Sequence, residues 1–553
     1  MSAAAPSLSG GARARRRSLP LGRVPAWAIT ACAGVAYVLA APPSADLAAA
    51  AYRSDLFARA GFTIWDNGWY GGHHLPAYSL LAPALGAWLG PQVVAALSMT
   101  AAAALFAALI EGAFTARATR LAALWLAVGA AVSLLSNRVP FDLGLAIGLG
   151  ALVAARRGSR WGALALAVTC ALASPVAGAF LALACVAWGL AYRRRWAFVV
   201  AICALAPIGA LAYAFPEGGS QPFASSAFYP GLLGVAIIAA FTPSTPRATL
   251  ALRIGAALYG LMLIGAYALP TAVGSNADRL GALFAGPVAA CALLERPPRW
   301  LFLALAPFLL YWQVNTPVSD LVTGITDPAT SASYYAPLLG ELRTLGVGYG
   351  GPPTRPARIE AVPDTEHWEA RWLAPHVALA RGWERQLDQS RNNLFYDGRP
   401  LTAGRYRGWL SEQAISYVAL PDGPLDYSAS EEARLLLGGA RAGQAAHPPS
   451  YLHEVWRSAH WRLFAVAGAQ PLARAPATMT QLGPESFTVA APRAGRYLTR
   501  VRFTPYWKVS GGSGCVAEAP GGWTYVTATR AERVAVRIGF SLERVFSRGA
   551  RCD

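Results

Sequence analysis

The chain has 553 residues, of which 55% are hydrophobic and only 14% charged, with a net charge of +18. Soluble domains carry about 25% charged residues, so a wholly soluble chain is excluded. The arginines of the first half sit in short clusters between apolar segments, where membrane topology explains them, and a nucleic-acid partner is excluded with them.

In chain order, a basic N-terminal segment at 1–23, with the run ARARRR at 12–17, precedes a first span at 24–42. That layout also suits a cleaved signal peptide, but the apolar stretch is long enough to stay as a membrane helix. A loop at 43–75 follows. An apolar piece at 76–90, holding Pro76 and Pro83, suits a re-entrant or interfacial element. Further spans are expected at 92–115, 120–136, 139–155, 161–174, 175–191, 196–214, 226–242, 249–268, 280–294 and 300–314. This gives about eleven membrane helices of roughly 20 residues. Ala173-Ser174-Pro175 interrupts one long apolar stretch, and proline breaks the helical ladder, so two short helices meeting in a tight turn are expected there.

Charge supports this reading. Arg117 and Arg120, Arg156 to Arg160, Arg193 to Arg195, Arg247, and Arg296 with Arg299 occupy alternate connections, on the side of the N-terminal arginines. The other connections are poor in arginine and carry Asp46, Asp55, Asp66 and Glu217. The positive-inside rule puts the N-terminus in the cytoplasm and the 43–75 loop outside the inner membrane, and an odd number of spans puts the C-terminal part outside as well.

From about residue 315 the composition turns polar. A helix is expected from Ser333 to Leu345, within a mixed α/β region at 315–413. From 414 the segments ISYVAL, YLHEVW, WRLFAVA, FTVAA, RYLTRVRF, WTYVTAT and RVAVRIGF alternate apolar and polar residues between glycine-rich turns. They predict a β-sandwich filling 414–553. Cys32, Cys170, Cys185, Cys203 and Cys291 fall in apolar spans as packing residues. Cys515 and Cys552 fall in the outer part, where disulfides persist, and are expected to pair. No Cys/His spacing suggests zinc.

The stretch from Tyr52 to Tyr78, YRSDLFARAGFTIWDNGWYGGHHLPAY, concentrates acids, aromatics, histidines and glycines just after the first span. With its Asp55 and IWDNGWYGGHHLPAY, it resembles the first outer loop of the GT-C superfamily of membrane glycosyltransferases. The pieces YLHEVW, WRLFAV and RYLTRVRFTPYWKV resemble the outer domain of bacterial envelope and teichoic-acid glycosylation proteins. The resemblance implies a polyprenyl-phosphate sugar donor, an envelope glycan or lipid acceptor, and a catalytic acid in the first outer loop. Asp55 is then the expected base, against a capping or solvated acid. Asp66 is a second site acid or the former of the Asp66-Asn67-Gly68 turn. Trp65, Trp69 and Tyr70 would stack on sugar or form an interfacial aromatic belt. His73 and His74 would contact substrate or serve as loop hydrogen-bonders. Arg138 and Arg279, at span edges on the arginine-poor side, would hold the donor phosphate. Asp142 would pair with Arg138. No cofactor is implied firmly; magnesium or manganese is left as an option, because Asp55 and Asp66 make no DxD pair. Two rival readings stand beside the enzyme: a non-catalytic scaffold whose outer domain binds envelope glycan, and a flippase of lipid-linked sugars.

Overall fold

The computed structural model describes residues 24–294, 299–351, 353–439, 448–547, 549 and, as backbone, 551–552. The basic segment 1–23 lies outside the described residues. Every expected span is a helix: α1 (Trp27–Ala40), α4 (Pro91–Ile110), α5 (Ala116–Ser133), α6 (Val139–Arg156), α7 (Arg160–Ala173), α8 (Pro175–Tyr192), α9 (Arg195–Ala214), α10 (Ser225–Phe241), α11 (Arg247–Ala268), α12 (Asp278–Leu293) and α13 (Arg299–Thr326). Between α1 and α4 stand α2 (Ala45–Ala60) and α3 (Ala82–Leu89). Among the described residues seven helices are long and apolar enough to cross a membrane, or eight if the bent pair α1–α2 counts as one.

Local chemistry sets the helix ends. Thr115 caps α5 by accepting from Ala118 N, and Pro91 and Pro175 stand at the starts of α4 and α8, where a missing N–H costs nothing. Ser174 divides α7 from α8, accepting from Ala177 N. The chain then folds back, so that a Cβ on Gly178 would stand 3.0 Å from Ala171 Cα. Small residues let these backbones approach closely.

Two sequence expectations are corrected here. The region 43–75 is not all loop: its first half is α2, which leaves α1 at 74°. And α13 runs twelve residues past the expected end at 314, to Thr326, because polar side chains on a helix whose flank is covered by protein need not stop it.

The sheet-rich region begins after α13. It contains α14 (Ala332–Thr344), α15 (Glu369–Trp372), α16 (Arg385–Arg391), α17 (Ala403–Gln413), α18 (Ser430–Leu436) and α19 (Leu542–Phe546). A two-residue hairpin in the first loop supplies β1 (Trp65–Asp66) and β2 (His73–His74). β3 (Val347–Gly348) and β4 (Arg355–Pro356) pair in parallel. Then β5 (Arg358–Ala361), β6 (Ala378–Leu379), β7 (Ile415–Pro421), β8 (Leu452–Arg457) and β9 (Trp461–Val466) form a mixed sheet in the order β6-β5-β7-β9-β8. β5 lies parallel to both β6 and β7.

The sandwich is smaller than expected. It comprises β10 (Thr478–Gly483), β11 (Ser486–Ala491), β12 (Gly495–Arg502), β13 (Trp507–Gly511), β14 (Gly514–Ala519), β15 (Trp523–Ala528), β16 (Glu532–Ile538) and β17 (Arg551–Cys552). Its sheets run β10-β11-β16-β13 and β12-β15-β14-β17, over a core of Phe487, Val489, Val501, Trp507, Val526 and Val536. The strands 415–466 belong to the mixed sheet because β7 pairs with β5, more than fifty residues earlier. Cys515 stands opposite Cys552 in the β14–β17 register; the side chain of Cys552, and with it the expected disulfide, lies outside the described residues.

Candidate functional site

The first loop is a buried seam between the helices and the sheet-rich region. Trp65 enters the sandwich core beside Trp507, ring centroids 5.7 Å apart, and its Nε1 donates to Asn67 Oδ1 at 2.8 Å. Trp69 stacks between Tyr52 and His73, at 4.6 and 5.3 Å. The Tyr70 hydroxyl donates to Glu384 O at 2.9 Å. The loop backbone is bonded to both sheet units: Asn67 N donates to Pro484 O, Leu379 N to Gly68 O and Arg502 N to Gly71 O. Gly72 is required, since its φ is +122° and a Cβ there would fall 2.3 Å from Trp65 Cζ2.

Asp66 is fully enclosed. Burial raises its carboxyl above the ordinary range, against hydrogen bonds from Gly68 N at 2.9 Å and Tyr52 OH at 2.8 Å. It holds the turn. Burial pulls His73 down to about 3. The ring is therefore neutral, and its Nδ1 donates to Asp66 O at 3.2 Å. His74 has its backbone N and its Nδ1 on Glu217, the latter at 2.9 Å, and its Nε2 3.0 Å from Thr504 Oγ1. Burial pushes Glu217 up, but Arg391 at 2.7 Å and the His74 hydrogen bond outweigh it and hold the carboxyl at about 2. Trp65, Trp69, Tyr70, His73 and His74 thus hold the seam together and are not among the residues lining the cavity beside Arg138 and Arg279.

Asp55 stands apart too. On α2 it is ion-paired with Arg371 and its side chain is 45% exposed. Asp46, on the same helix, faces the other way: nine residues are two and a half turns, so the two carboxylates point to opposite faces.

Arg138 and Arg279 do come together, with Asp46, in a cavity of about 730 Å³ between the helix ends and the sheet-rich region. Asn137, buried at φ +56°, ties its side chain to Ser44 Oγ at 3.0 Å and Pro42 O at 3.2 Å. This fixes Arg138, the residue before α6, with Nε 3.4 Å from Asp46 and NH2 3.7 Å from Asp320. Arg279, in the first turn of α12, is half-buried over the Phe141 ring at 5.6 Å. Among the described residues its guanidinium has neither a hydrogen bond nor an ion pair. Its neighbour Asp278 accepts from Trp312 Nε1 at 3.0 Å. Asp142 is fully buried, and among the described residues both its oxygens lack a hydrogen-bond partner; the expected pair with Arg138 is not formed there, because Arg138 turns to Asp46 and Asp320.

The opposite wall comes from the sheet-rich region. Thr365, His367, Trp383, Arg385 and Gln386 line the cavity, on the connections that leave the carboxyl ends of β5 and β6. That edge of parallel strands is where crevices form. Trp383 Nε1 donates to Ala45 O at 2.7 Å, seating this wall on the start of α2. Its charges are matched internally. Arg385 holds Asp426 with two bonds, 2.9 and 2.7 Å. Burial lowers His367, but Glu369 and Asp426 more than reverse this and raise it to about 10. The cavity therefore has a matched wall and a floor with one uncommitted cation.

Sequence reasoning found the two arginines and made Asp55, not Asp46, the expected base. It missed the wall of the sheet-rich region. The ARGWER run at 380–385 packs two arginines, a tryptophan and an acid into six residues, and that density is the one local signal. Among the described residues no group of three or more His, Cys, Asp or Glu is arranged to hold a metal ion. No protein-family model matches the chain, and no curated protein matches it.

Proposed function

We propose that this chain is a polytopic glycosyltransferase of the inner membrane. It transfers a sugar from a polyprenyl-phosphate donor to an envelope glycan or lipid acceptor, with eleven spans, a cytoplasmic N-terminus and the sheet-rich region outside. The observation that carries this reading is Arg279: a half-buried guanidinium facing a cavity between apolar helices, which among the described residues makes no hydrogen bond or ion pair, not even with the nearby Asp46 and Asp142 carboxylates. A buried charge needs a counter-charge, and a lipid phosphate between helices supplies one. Arg138 is shared between Asp46 and Asp320 at 3.4 and 3.7 Å, too long for strong bonds, so an arriving phosphate can draw it away.

Asp46 replaces Asp55 as the base. Freed from Arg138, it accepts the proton of the acceptor hydroxyl while that oxygen bonds the anomeric carbon. The bond from that carbon to the phosphate oxygen breaks, and Arg138 and Arg279 neutralise the charge on the departing lipid phosphate. Trp383, Thr365 and Gln386 offer the acceptor an aromatic edge and neutral hydrogen-bonding groups.

The test is transfer of radiolabelled sugar from polyprenyl-phosphate donors in membranes holding the wild type, Asp46→Asn or Asp55→Asn. Asp46→Asn is expected to lose about 10²- to 10⁴-fold in rate, and Asp55→Asn to retain activity. Loss in Asp55→Asn alone would return the base to Asp55, and no transfer from any donor would favour the scaffold.

A further inference from the structure

We propose that the segment Phe540–Phe546 of the sandwich is a membrane-surface anchor, seated in the lipid leaflet beside the end of α9. The inference rests on reading α9 as a span and is independent of the reaction at the cavity.

Three large apolar side chains crowd this segment in the open: Phe540 is 53% exposed, Leu542 72% and Phe546 75%. Exposed apolar residues scattered singly need no explanation, but a contiguous cluster marks an interaction surface. Here the cluster continues a lipid-facing helix. Phe546 packs on Tyr213 with ring centroids 5.9 Å apart, and Phe540 on Phe215 at 6.0 Å. Tyr213 is the penultimate residue of α9, whose apolar flank is itself exposed at Val199, Ile202 and Leu205. Tyr506 fixes the relation by donating its hydroxyl to Ala214 O at 2.6 Å. If α9 crosses the bilayer, its last turn stands at the boundary of hydrocarbon and headgroups, and the three side chains stand at that depth.

Charge selects the same occupant. Lys508 and Arg537 face each other across the β13–β16 pair, both exposed, and Phe540 follows three residues after Arg537. Within the segment the exposed Glu543 is offset by its neighbour Arg544, and cations flanking a small apolar tip suit an anionic headgroup layer over hydrocarbon. A protein partner would have to approach within a turn of a membrane helix, at a level already taken by lipid. The anchor would hold the sandwich down at the edge of the bundle, next to the seam, where Ile64 and His74 of the first loop meet Phe215 and Tyr506.

The experiment places p-benzoylphenylalanine at Leu542, at Ile202 in the middle of α9, or at Val455, exposed on the mixed sheet, in the full chain. Each protein is reconstituted in vesicles of phosphatidylcholine and phosphatidylglycerol, irradiated and weighed intact. Lipid adducts at Leu542 and Ile202, with none at Val455, are the expected result. Adducts at Ile202 without Leu542 would overturn the anchor and leave α9 a span. Cross-linking of Leu542 to a second copy of the chain would overturn it in favour of self-association. No adduct at Ile202 would remove the membrane reading of α9 and the anchor together.

Discussion

Single side chains in the seam give the clearest consequences for stability. Glu217 joins the α9–α10 connection to His74 and to Arg391, so Glu217→Gln strips Arg391 of its partner. Breaking a buried pair costs about 3–5 kcal/mol, which a thermal unfolding midpoint in detergent will report. Three groups contribute to the pH dependence in opposite senses. Glu217 sits near 2 in the folded protein against an ordinary 4.5; its stabilisation is complete above pH 4.5 and is lost as pH falls through about 2. His73 sits near 3 against 6.5. Between those values the unfolded chain binds a proton that the folded chain refuses, so stability falls as pH falls across that window. Glu366 works oppositely: burial, reinforced by Asp320, raises its carboxyl from 4.5 to about 7. The folded chain keeps a proton that the unfolded chain releases, so its contribution is present below pH 4.5 and lost as pH rises through about 7. His73→Phe is expected to flatten the acid limb of a midpoint-versus-pH curve, and Glu366→Gln the limb between 4.5 and 7. Unchanged limbs would contradict these assignments.

At the scale of elements, Gly72→Ala is expected to disrupt the β1–β2 hairpin. A Cβ at φ +122° would be strained and would collide with Trp65, so a loss of more than about 1 kcal/mol is expected, read as a lower unfolding midpoint; an unchanged midpoint would mean that the hairpin can shift. The β14–β17 register makes a second prediction. If Cys515 and Cys552 are bonded, alkylation of the denatured, unreduced chain labels the five helix cysteines, and reduction raises this to all seven. Seven labels before reduction would disprove the bond. The apolar helices were legible because burial and span length leave long runs of alanine and leucine. α2 was hidden because a ruler for spans rejects Arg53, Asp55 and Arg59, although the run Ala48–Ala51 favours helix. Without α2, there is no reason to see that Asp46 and Asp55 stand on opposite faces of one helix. The boundary of the sandwich was illegible for a different reason. Alternation marks β7, β8 and β9 as strands, but their membership of the mixed sheet depends on pairing with β5 across more than fifty residues, which periodicity does not record.

Across the whole molecule, the first loop binds helices, mixed sheet and sandwich into one body. Trp65, read from sequence as a sugar-stacking or interfacial residue, is a core residue of the sandwich. Trp65→Ala is expected to cost about 3–5 kcal/mol, and the sheet-rich region expressed alone should unfold at a lower temperature than in the full chain, because it lacks the ring that fills its core. Equal midpoints would show that the loop merely rests on the sandwich. The cavity is possible only in this assembly, since its floor belongs to the helices and its opposite wall to the mixed sheet. The central claim is that this cavity receives a lipid phosphate on Arg138 and Arg279. Native mass spectrometry of the purified chain titrated with polyprenyl phosphate tests it most directly, comparing wild type with Arg138→Gln/Arg279→Gln. Each charge-assisted contact contributes about 1.5–3 kcal/mol, so the double variant is expected to lose binding by about 100-fold or more. Equal binding by the two proteins would contradict the account.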